Sequence, residues 1–369
     1  MRRAGPEGGA TETNGGGLRL IRSAAAFYDS LMEDLSMAVE RVRIQTYCIE
    51  HGPIANRLAQ KLAELVARGV RVEFMYDSVG SMNTPLSYFY RLSESGVRVM
   101  EYRPLSIPRK NYFIVIKSMF RRNHRKFVVI DSRTYYVGGM NMGERFLDWE
   151  DVMARGEGAP AQDLLEIFDR VWEKRKKKGP GPLSIRLSKE VEALEGRPKR
   201  NNYPIKRLYV SAIKKARKRV WIAQAYFLPR RKIMKTLIRA AMRGVDVRVV
   251  VPARSDVPLV DLASIASIIK LARHGVKVYR YTPAMLHTKM ALIDDAWLTV
   301  GTANLDSMSL YWNLELNLVI RRRETVEEAA TIFGDYFENS IPVDEEAIKH
   351  IPLHRRLLGR FLQYYGWIL

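Results

Sequence analysis

The chain has 369 residues, 47% of them hydrophobic, so it can bury a sizeable core and is long enough for two domains. Its 61 lysines and arginines outnumber its 40 acidic residues and give a formal net charge of +21 at pH 7, which predicts a polyanionic partner, either nucleic acid or an anionic membrane. The single cysteine, Cys48, excludes an intramolecular disulfide and suits a reducing compartment.

The first third of the chain reads as alternating strands and helices. Residues 1–17 are rich in glycine and polar side chains and are predicted to be disordered. A helix is predicted over 24–39 and strands over 42–47 and 70–74, and leucines at helical spacing lie between the two strands. This β-α-β order indicates a parallel sheet flanked by helices.

The same order returns in the second half. A strand is predicted over 220–223, a helix from about Arg231 and a strand over 247–251, and the Arg-Gly-Val triplet recurs 175 positions later (243 − 68). We therefore interpret the chain as a duplicated α/β domain, with copies over 18–175 and 201–345. Each copy is predicted to be a mixed, largely parallel sheet flanked by helices, with the basic, breaker-rich stretch 176–200 as linker.

A polar motif recurs in register between the copies. Residues 124–131 and 287–294 both read His-x-Lys-x4-Asp, and Gly-Gly/Thr-x-Asn follows after six intervening residues. The asparagine lies 17 positions after the histidine in both (141 − 124 and 304 − 287), and an acid lies 27 or 28 positions after it (151 − 124 and 315 − 287). Two matches in register indicate one composite site. The candidates are His124, Lys126, Asp131, Asn141 and Asp151 with His287, Lys289, Asp294, Asn304 and Glu315.

Together the two copies would supply two imidazoles, two ammonium groups and two amides, a set suited to a phosphodiester. One imidazole can attack phosphorus, while the other protonates the leaving alkoxide and then accepts a proton from the incoming water or alcohol. The lysines and asparagines would stabilise phosphoryl charge, and the acids Asp151 and Glu315 would orient the histidines through their second ring nitrogens. This chemistry requires no metal or cofactor, and the lysine cations disfavour a metal site beside the histidines.

The doubled motif resembles the signature of the phospholipase D superfamily and, within it, the bacterial cardiolipin synthases. The likeness is carried by 138–141, 149–151, 226–229 and 286–317, and it extends from about Ser23 to Phe337. It implies two phospholipase D-like domains with the active site between them, anionic phospholipid substrates, and phosphatidyl transfer through a phosphohistidine to an acceptor such as phosphatidylglycerol. It also implies structural support as the role of Asp131 and Asp294. Met308 departs from the arginine usual in this family.

Two segments outside the repeat favour lipid over nucleic acid. The offset between the copies falls from 179 (275 − 96) to 163 (287 − 124), which places 16 extra residues within 104–122, where apolar and cationic side chains suit a membrane contact or a cover for the core. Residues 346–369 predict a basic amphipathic helix, for an anionic membrane surface or docked on the protein's own core. No segment has the ~20 apolar residues of a spanning helix and no secretory signal is evident, so a peripheral enzyme at the cytoplasmic face is expected.

Two other functions remain open from sequence. A hydrolase, either a phospholipase D or a metal-independent nuclease, would use the same residues with water as the acceptor. A basic binding module with a dead site is the non-enzymatic alternative. Two complete motifs argue against it, because binding alone does not need two histidines each with an acid partner.

Overall fold

A computed structural model describes residues 17–105, 120–173, 190–197 and 203–365. Nearly all of the segment predicted to be disordered lies outside these residues, as do 106–119 of the 104–122 insertion. Most of the predicted linker, 176–189 and 198–200, also lies outside them.

The first half of the chain alternates strands and helices as predicted. Ser23 caps the first helix, because its side-chain oxygen accepts a hydrogen bond from the amide of Ala26. The elements are β1 (Arg19–Ile21), α1 (Ala24–Ser36), β2 (Arg41–Thr46), α2 (Pro53–Ala67), β3 (Arg71–Asp77), α3 (Leu86–Glu94), β4 (Arg98–Tyr102), β5 (Phe127–Ile130), β6 (Thr134–Gly138), β7 (Trp149–Glu150), β8 (Met153–Glu157) and α4 (Pro160–Trp172).

The second half repeats this order and then extends it. Proline in the first turn begins α5 and α7, where its missing amide leaves no hydrogen bond unmade. The elements are β9 (Val191–Gly196), α5 (Pro204–Lys215), β10 (Arg219–Gln224), α6 (Arg231–Met242), β11 (Asp246–Pro252), α7 (Pro258–Ala272), β12 (Lys277–Tyr281), β13 (Met285–Leu286), β14 (Lys289–Ile293), β15 (Trp297–Gly301), β16 (Glu315–Ile320), α8 (Arg323–Glu338), β17 (Ser340–Pro342), α9 (Glu345–His350) and α10 (Leu353–Tyr365).

The strands form two mixed sheets, which confirms the predicted α/β class. Among the described residues, the seven-stranded sheet has the order β1-β8-β6-β5-β2-β3-β4 and the eight-stranded sheet the order β17-β12-β11-β10-β14-β15-β16-β9. Within these two sheets parallel pairing is limited to β2-β3-β4 and β10-β11-β12, and a further parallel pair, β7 with β13, joins the two repeats. The other neighbours within these two sheets are antiparallel, so "largely parallel" was wrong.

The predicted linker 176–200 contains a strand. β9 pairs antiparallel with β16 at one edge of the second sheet, as β1 pairs with β8 at the edge of the first. Val191–Gly196, within the predicted linker, is therefore a strand of the second sheet, in the place that β1 takes in the first. The sequence shows no clear strand pattern here, because the flanking residues are basic and the alternate side chains of the segment are only partly apolar.

The two halves share one core. A single cluster of buried side chains joins Phe127 and Val137 of the first sheet to Leu292, Val300 and Leu316 of the second. The helices α4 and α8 contribute to the same cluster, while the remaining apolar side chains form one outer cluster in each half. Burial of this shared apolar surface fixes the two sheets against each other, and with them the histidine motifs.

The C-terminal region 346–369 is not one helix. α9 and α10 are separate, with Ile351 and Pro352 between them, because proline does not continue a helix. α10 packs against α7 through Gly359, where an added Cβ would lie 2.7 Å from the carbonyl oxygen of Leu262. Residues 366–369 lie outside the described residues.

Candidate active site

Each histidine lies just before a central strand of its sheet, and its backbone amide donates a hydrogen bond to the other half of the chain. His124 lies before β5, and its amide donates to the carbonyl of Leu314, 3.0 Å away. His287 lies before β14, and its amide donates to the carbonyl of Glu150 at 2.7 Å. Both predicted motifs therefore meet where the two repeats join.

The acid partners of the histidines are exchanged between the repeats. Nδ1 of His124 lies 3.1 Å from Oε2 of Glu315, and Nδ1 of His287 lies 2.6 Å from Oδ2 of Asp151. A carboxylate can only accept, so Nδ1 of each neutral ring carries the proton and Nε2 keeps its lone pair. The structure thus brings together the four residues that the sequence paired only within each repeat.

Burial keeps both imidazoles uncharged. The side chains of His124 and His287 are 12% and 5% exposed. Burial lowers the pKa of His287 to about 4, with a further lowering by the Lys289 cation that Asp151 opposes. Burial also lowers the pKa of His124, which Glu315 partly offsets. Both rings are therefore neutral near pH 7, which is the nucleophilic form.

Lys126 and Lys289 are buried beside the histidines, 2% and 1% exposed. Nζ of Lys126 donates to the carbonyl of His124 at 2.9 Å, and Nζ of Lys289 donates to the carbonyl of His287. Burial and the neighbouring Lys289 lower the pKa of Lys126 to about 7, and burial lowers that of Lys289 to about 8. A phosphodiester anion in contact with them would favour their charged forms.

The asparagines supply polar groups that the described protein leaves unsatisfied. Asn141 and Asn304 are 7% and 2% exposed, and the Oδ1 atom of each has no hydrogen-bond partner in the described part of the chain. Oε1 of Glu315 is buried without a partner in the same sense. Because a buried unpaired polar group is costly, such atoms mark places where a ligand or water can bind.

Asp131 and Asp294 lie at the far ends of β5 and β14, away from the histidines. The Asp131 carboxylate accepts hydrogen bonds of 2.8 Å from the amides of residues 39, 40 and 41. Asp294 likewise binds the amides of residues 217, 218 and 219. Both have positive φ, 48° and 52°. Their placement fits the structural-support interpretation and does not bring them to the reacting groups.

Several side chains at the site were missed from sequence. The ring of Tyr47 lies 4.8 Å from that of His124 and 5.0 Å from Nζ of Lys126, and Trp149 and Tyr226 lie 5.0 and 6.3 Å from the His287 ring. Tyr47 and Tyr226 are 179 positions apart (226 − 47), which equals one of the two offsets, 175 and 179, found between the repeats ahead of the insertion and could have identified them.

Asp306, on the loop after Asn304, was also not among the predicted site residues. It is 5% exposed, and burial together with the nearby Glu315 raises its pKa to about 7. Its Oδ1 accepts the amide of Ser309 at 2.7 Å.

The described residues contain no group of three or more histidine, cysteine, aspartate or glutamate side chains placed to hold a metal ion. Nor does any helix among them have the length and apolar character needed to cross a bilayer.

Comparison with known proteins agrees with this architecture. The family described as "Cardiolipin synthase, PLD-like domain" matches residues 31–172 and 209–337, one copy in each repeat. The cardiolipin synthase of Geobacillus sp. strain WCH70 is 30% identical over 364 residues, covering 95% of this chain and 70% of its own. The cardiolipin synthase A of Pseudomonas putida strain W619 is 32% identical over 341 residues, covering 89% and 70%.

A solved structure supports the fold independently. The phosphatidylserine synthase of Haemophilus influenzae Rd KW20 has a TM-score of 0.72, with 95% of each chain covered at 13% identity. At that identity the likeness concerns the fold alone. The family match and the relatives place this chain, with its two phospholipase D-like domains, in the cardiolipin synthase family of the phospholipase D superfamily.

Proposed function

We propose that this enzyme is a cardiolipin synthase that transfers a phosphatidyl group from one phospholipid to the hydroxyl of phosphatidylglycerol. The observation that carries the proposal is the exchanged pairing of His124 with Glu315 and of His287 with Asp151. It supplies two neutral imidazoles with free Nε2 atoms at one site, and two-step phosphoryl transfer needs both. The relatives named cardiolipin synthase support the choice of lipid.

In the first step, Nε2 of one histidine attacks the phosphorus of the donor lipid. A P–N bond forms and the P–O bond to the leaving glycerol breaks, while the other histidine gives that oxygen a proton from its Nε2. This second ring is neutral in the free protein, so it must gain a proton when the substrate binds. A phosphodiester anion within a few ångströms favours the imidazolium, as the carboxylate at its Nδ1 does.

In the second step, the same ring, now neutral, accepts the proton of the acceptor hydroxyl. The alkoxide oxygen attacks phosphorus, the P–N bond breaks, and the product carries two phosphatidyl groups on one glycerol. Lys126, Lys289, Asn141 and Asn304 would stabilise the charge on the phosphoryl oxygens in both steps. Asp151 and Glu315 would be positioning residues that hold each ring by its Nδ1.

The chain's charge supports a peripheral position at an anionic membrane. A net charge of +21 attracts a bilayer rich in phosphatidylglycerol, and we propose the cytoplasmic face as the site of action because its leaflet carries a negative surface potential.

The test is incubation of purified protein with labelled phosphatidylglycerol vesicles in a metal chelator. We expect a diphosphatidyl product and free glycerol, both lost in His124→Ala and in His287→Ala. His274→Ala is the matched control, because this exposed histidine follows the end of α7 and the one side-chain hydrogen bond it has with the described residues is to the Lys270 carbonyl. Phosphatidic acid as the sole product would indicate a hydrolase, and cleavage of DNA without lipid turnover would indicate a nuclease.

A further inference from the structure

A groove in the second repeat lies away from the histidines and is strongly cationic. It has a volume of about 830 Å³ and is lined by the start of α6, the loop before it, residues 307 and 311, and single positions or pairs from α7 and α10. None of the described residues that line it is acidic. Its cations are Arg230, Arg231, Lys232, Lys235, Lys270 and Arg360.

The positive charge of this groove is not neutralised by the described protein. Arg231, Lys235 and Arg360 are exposed and form no ion pair with any described residue, and Arg230 lies over the ring of Tyr311 at 4.6 Å. Arg273 and Arg323, two exposed arginines elsewhere in the second half, are each paired with a glutamate. A cluster of one sign repels itself and attracts an anion.

An exposed apolar stripe adjoins the groove. α10 docks on α7 through Gly359 and through Gln363, whose Nε2 donates to the Ser267 hydroxyl at 2.6 Å. Leu353 and Leu357 remain 68% and 54% exposed. At 3.6 residues per turn, Arg360 projects between the docked face and these two leucines, so the cations and the stripe are neighbours.

We propose that this groove and the Leu353/Leu357 stripe form a second lipid site, at which the protein docks on an anionic phospholipid bilayer. The cations would take the phosphates of the headgroups and the leucines would enter the boundary of the acyl chains. The choice of lipid rests on the proposed function. It also rests on the stripe, because phosphates of a nucleic acid need the cations but give exposed leucines nothing to pack against.

The groove is connected to the active site through two loops. Its wall includes Leu228 and Ser307, which follow Tyr226 and Asn304 closely in sequence. The amide of Leu228 donates to the carbonyl of Leu305 at 3.1 Å, which ties the two loops together. A bilayer docked at the groove would therefore touch the loops that carry the second asparagine of the site.

The test measures vesicle binding in the inactive His124→Ala protein, so that turnover does not alter the lipid. The vesicles contain phosphatidylglycerol and phosphatidylcholine in equal parts. Replacing Lys235 and Arg360 by glutamine should weaken binding about thirtyfold, because each cation near the surface contributes on the order of 1 kcal/mol. The matched control is Arg71→Gln with Arg91→Gln, two exposed cations of the first repeat, which should change binding less than about threefold.

A second variant tests the stripe. Leu353→Ser with Leu357→Ser should also weaken binding, and this loss should persist in high salt, where the loss from the cation variant shrinks. All variants should unfold at the temperature of the parent protein, because the changed side chains are exposed. In detergent micelles the cation variant, with His124 restored, should turn over phosphatidylglycerol at the wild-type rate.

Three results would overturn the docking site: equal loss from the cation variant and its control, wild-type binding by the leucine variant, or retained vesicle binding with loss of binding to a DNA oligonucleotide. The last would make the groove a nucleic-acid site. Failure of the proposed function would look different, since the wild-type protein would then bind vesicles and form no diphosphatidyl product.

Discussion

The two repeats support their acids in different ways. Gly139 and Thr302 occupy equivalent positions, each 15 residues after its histidine (139 − 124 and 302 − 287). In the first repeat a Cβ at Gly139 would lie 2.3 Å from Oδ1 of Asp151, so no side chain fits there. In the second, the Thr302 hydroxyl donates to Oε2 of Glu315.

This difference follows from the length of the acid. Aspartate is one methylene shorter than glutamate, so the Asp151 carboxylate stays near the backbone, where it accepts the amide of Val152 at 2.7 Å and requires a glycine beside it. The longer Glu315 leaves room for a threonine that orients it. Since each acid holds the histidine of the other repeat, a defect in one repeat should disable the opposite ring. Gly139 with Asp151 and Thr302 with Glu315 therefore form matched pairs, one in each repeat.

The largest effects should come from the histidines, which the proposed mechanism uses as a unit. His124→Ala and His287→Ala should each lower kcat about 10⁴-fold or more, and the double variant should be no slower than the slower single one, because losses within one catalytic unit are not additive. Single-turnover assays on labelled phosphatidylglycerol measure this. Multiplied losses in the double variant would mean that the two rings act independently.

The two acids should differ in importance. Asp151→Asn should lower kcat about 10³-fold, because an amide at Nδ1 no longer stabilises an imidazolium at His287 and can select the wrong tautomer. Glu315→Gln should lower kcat by a factor about ten times smaller. The reason is that His124 lies farther from its acid, 3.1 against 2.6 Å, and is more exposed. The measurement is kcat for both variants over a pH series. Equal losses would show that the difference in geometry has no catalytic consequence.

Substitutions of Gly139 and Thr302 test whether each acid depends on the residue beside it. Gly139→Ala should lower kcat about 100-fold, since its methyl group must displace the Asp151 carboxylate that holds His287. Thr302→Ala removes one hydrogen bond to Glu315 and should cost about tenfold or less, near 1 kcal/mol. Thermal unfolding separates this effect from loss of fold. Similar losses for the two variants would contradict the matched-pair interpretation.

Sequence predicted most of the local structure and the members of the site, but not their pairing. The segment 247–251 is predicted as a strand and lies within β11, because a short run rich in valine that follows a glycine turn favours a buried strand. The repeat identified His124, His287 and their lysines without any structure. That Glu315 contacts His124 across 191 positions could not be predicted, because spacing along the chain carries no information on how two sheets pack.

The smallest effect concerns stability and its dependence on pH. Lys126 has a pKa of about 7 in the folded protein against its ordinary 10.5, so the unfolded chain binds more protons between these values. Stability therefore rises with pH through this window, and the penalty of the buried ammonium is present in full below about pH 7. Lys126→Met should stabilise the fold by about 1–3 kcal/mol there, an advantage that fades towards pH 10.5, while turnover is lost.

Lys289→Met is the matched variant in the second repeat. With a pKa of about 8, Lys289 is less strongly depressed, so its replacement should stabilise the fold by less. Urea unfolding of both variants between about pH 6 and about pH 9 measures the difference. A stabilisation that grows with rising pH would contradict the assigned direction of both shifts. The expected result would show that two buried cations, held together to receive a phosphodiester, lower the stability of the free protein.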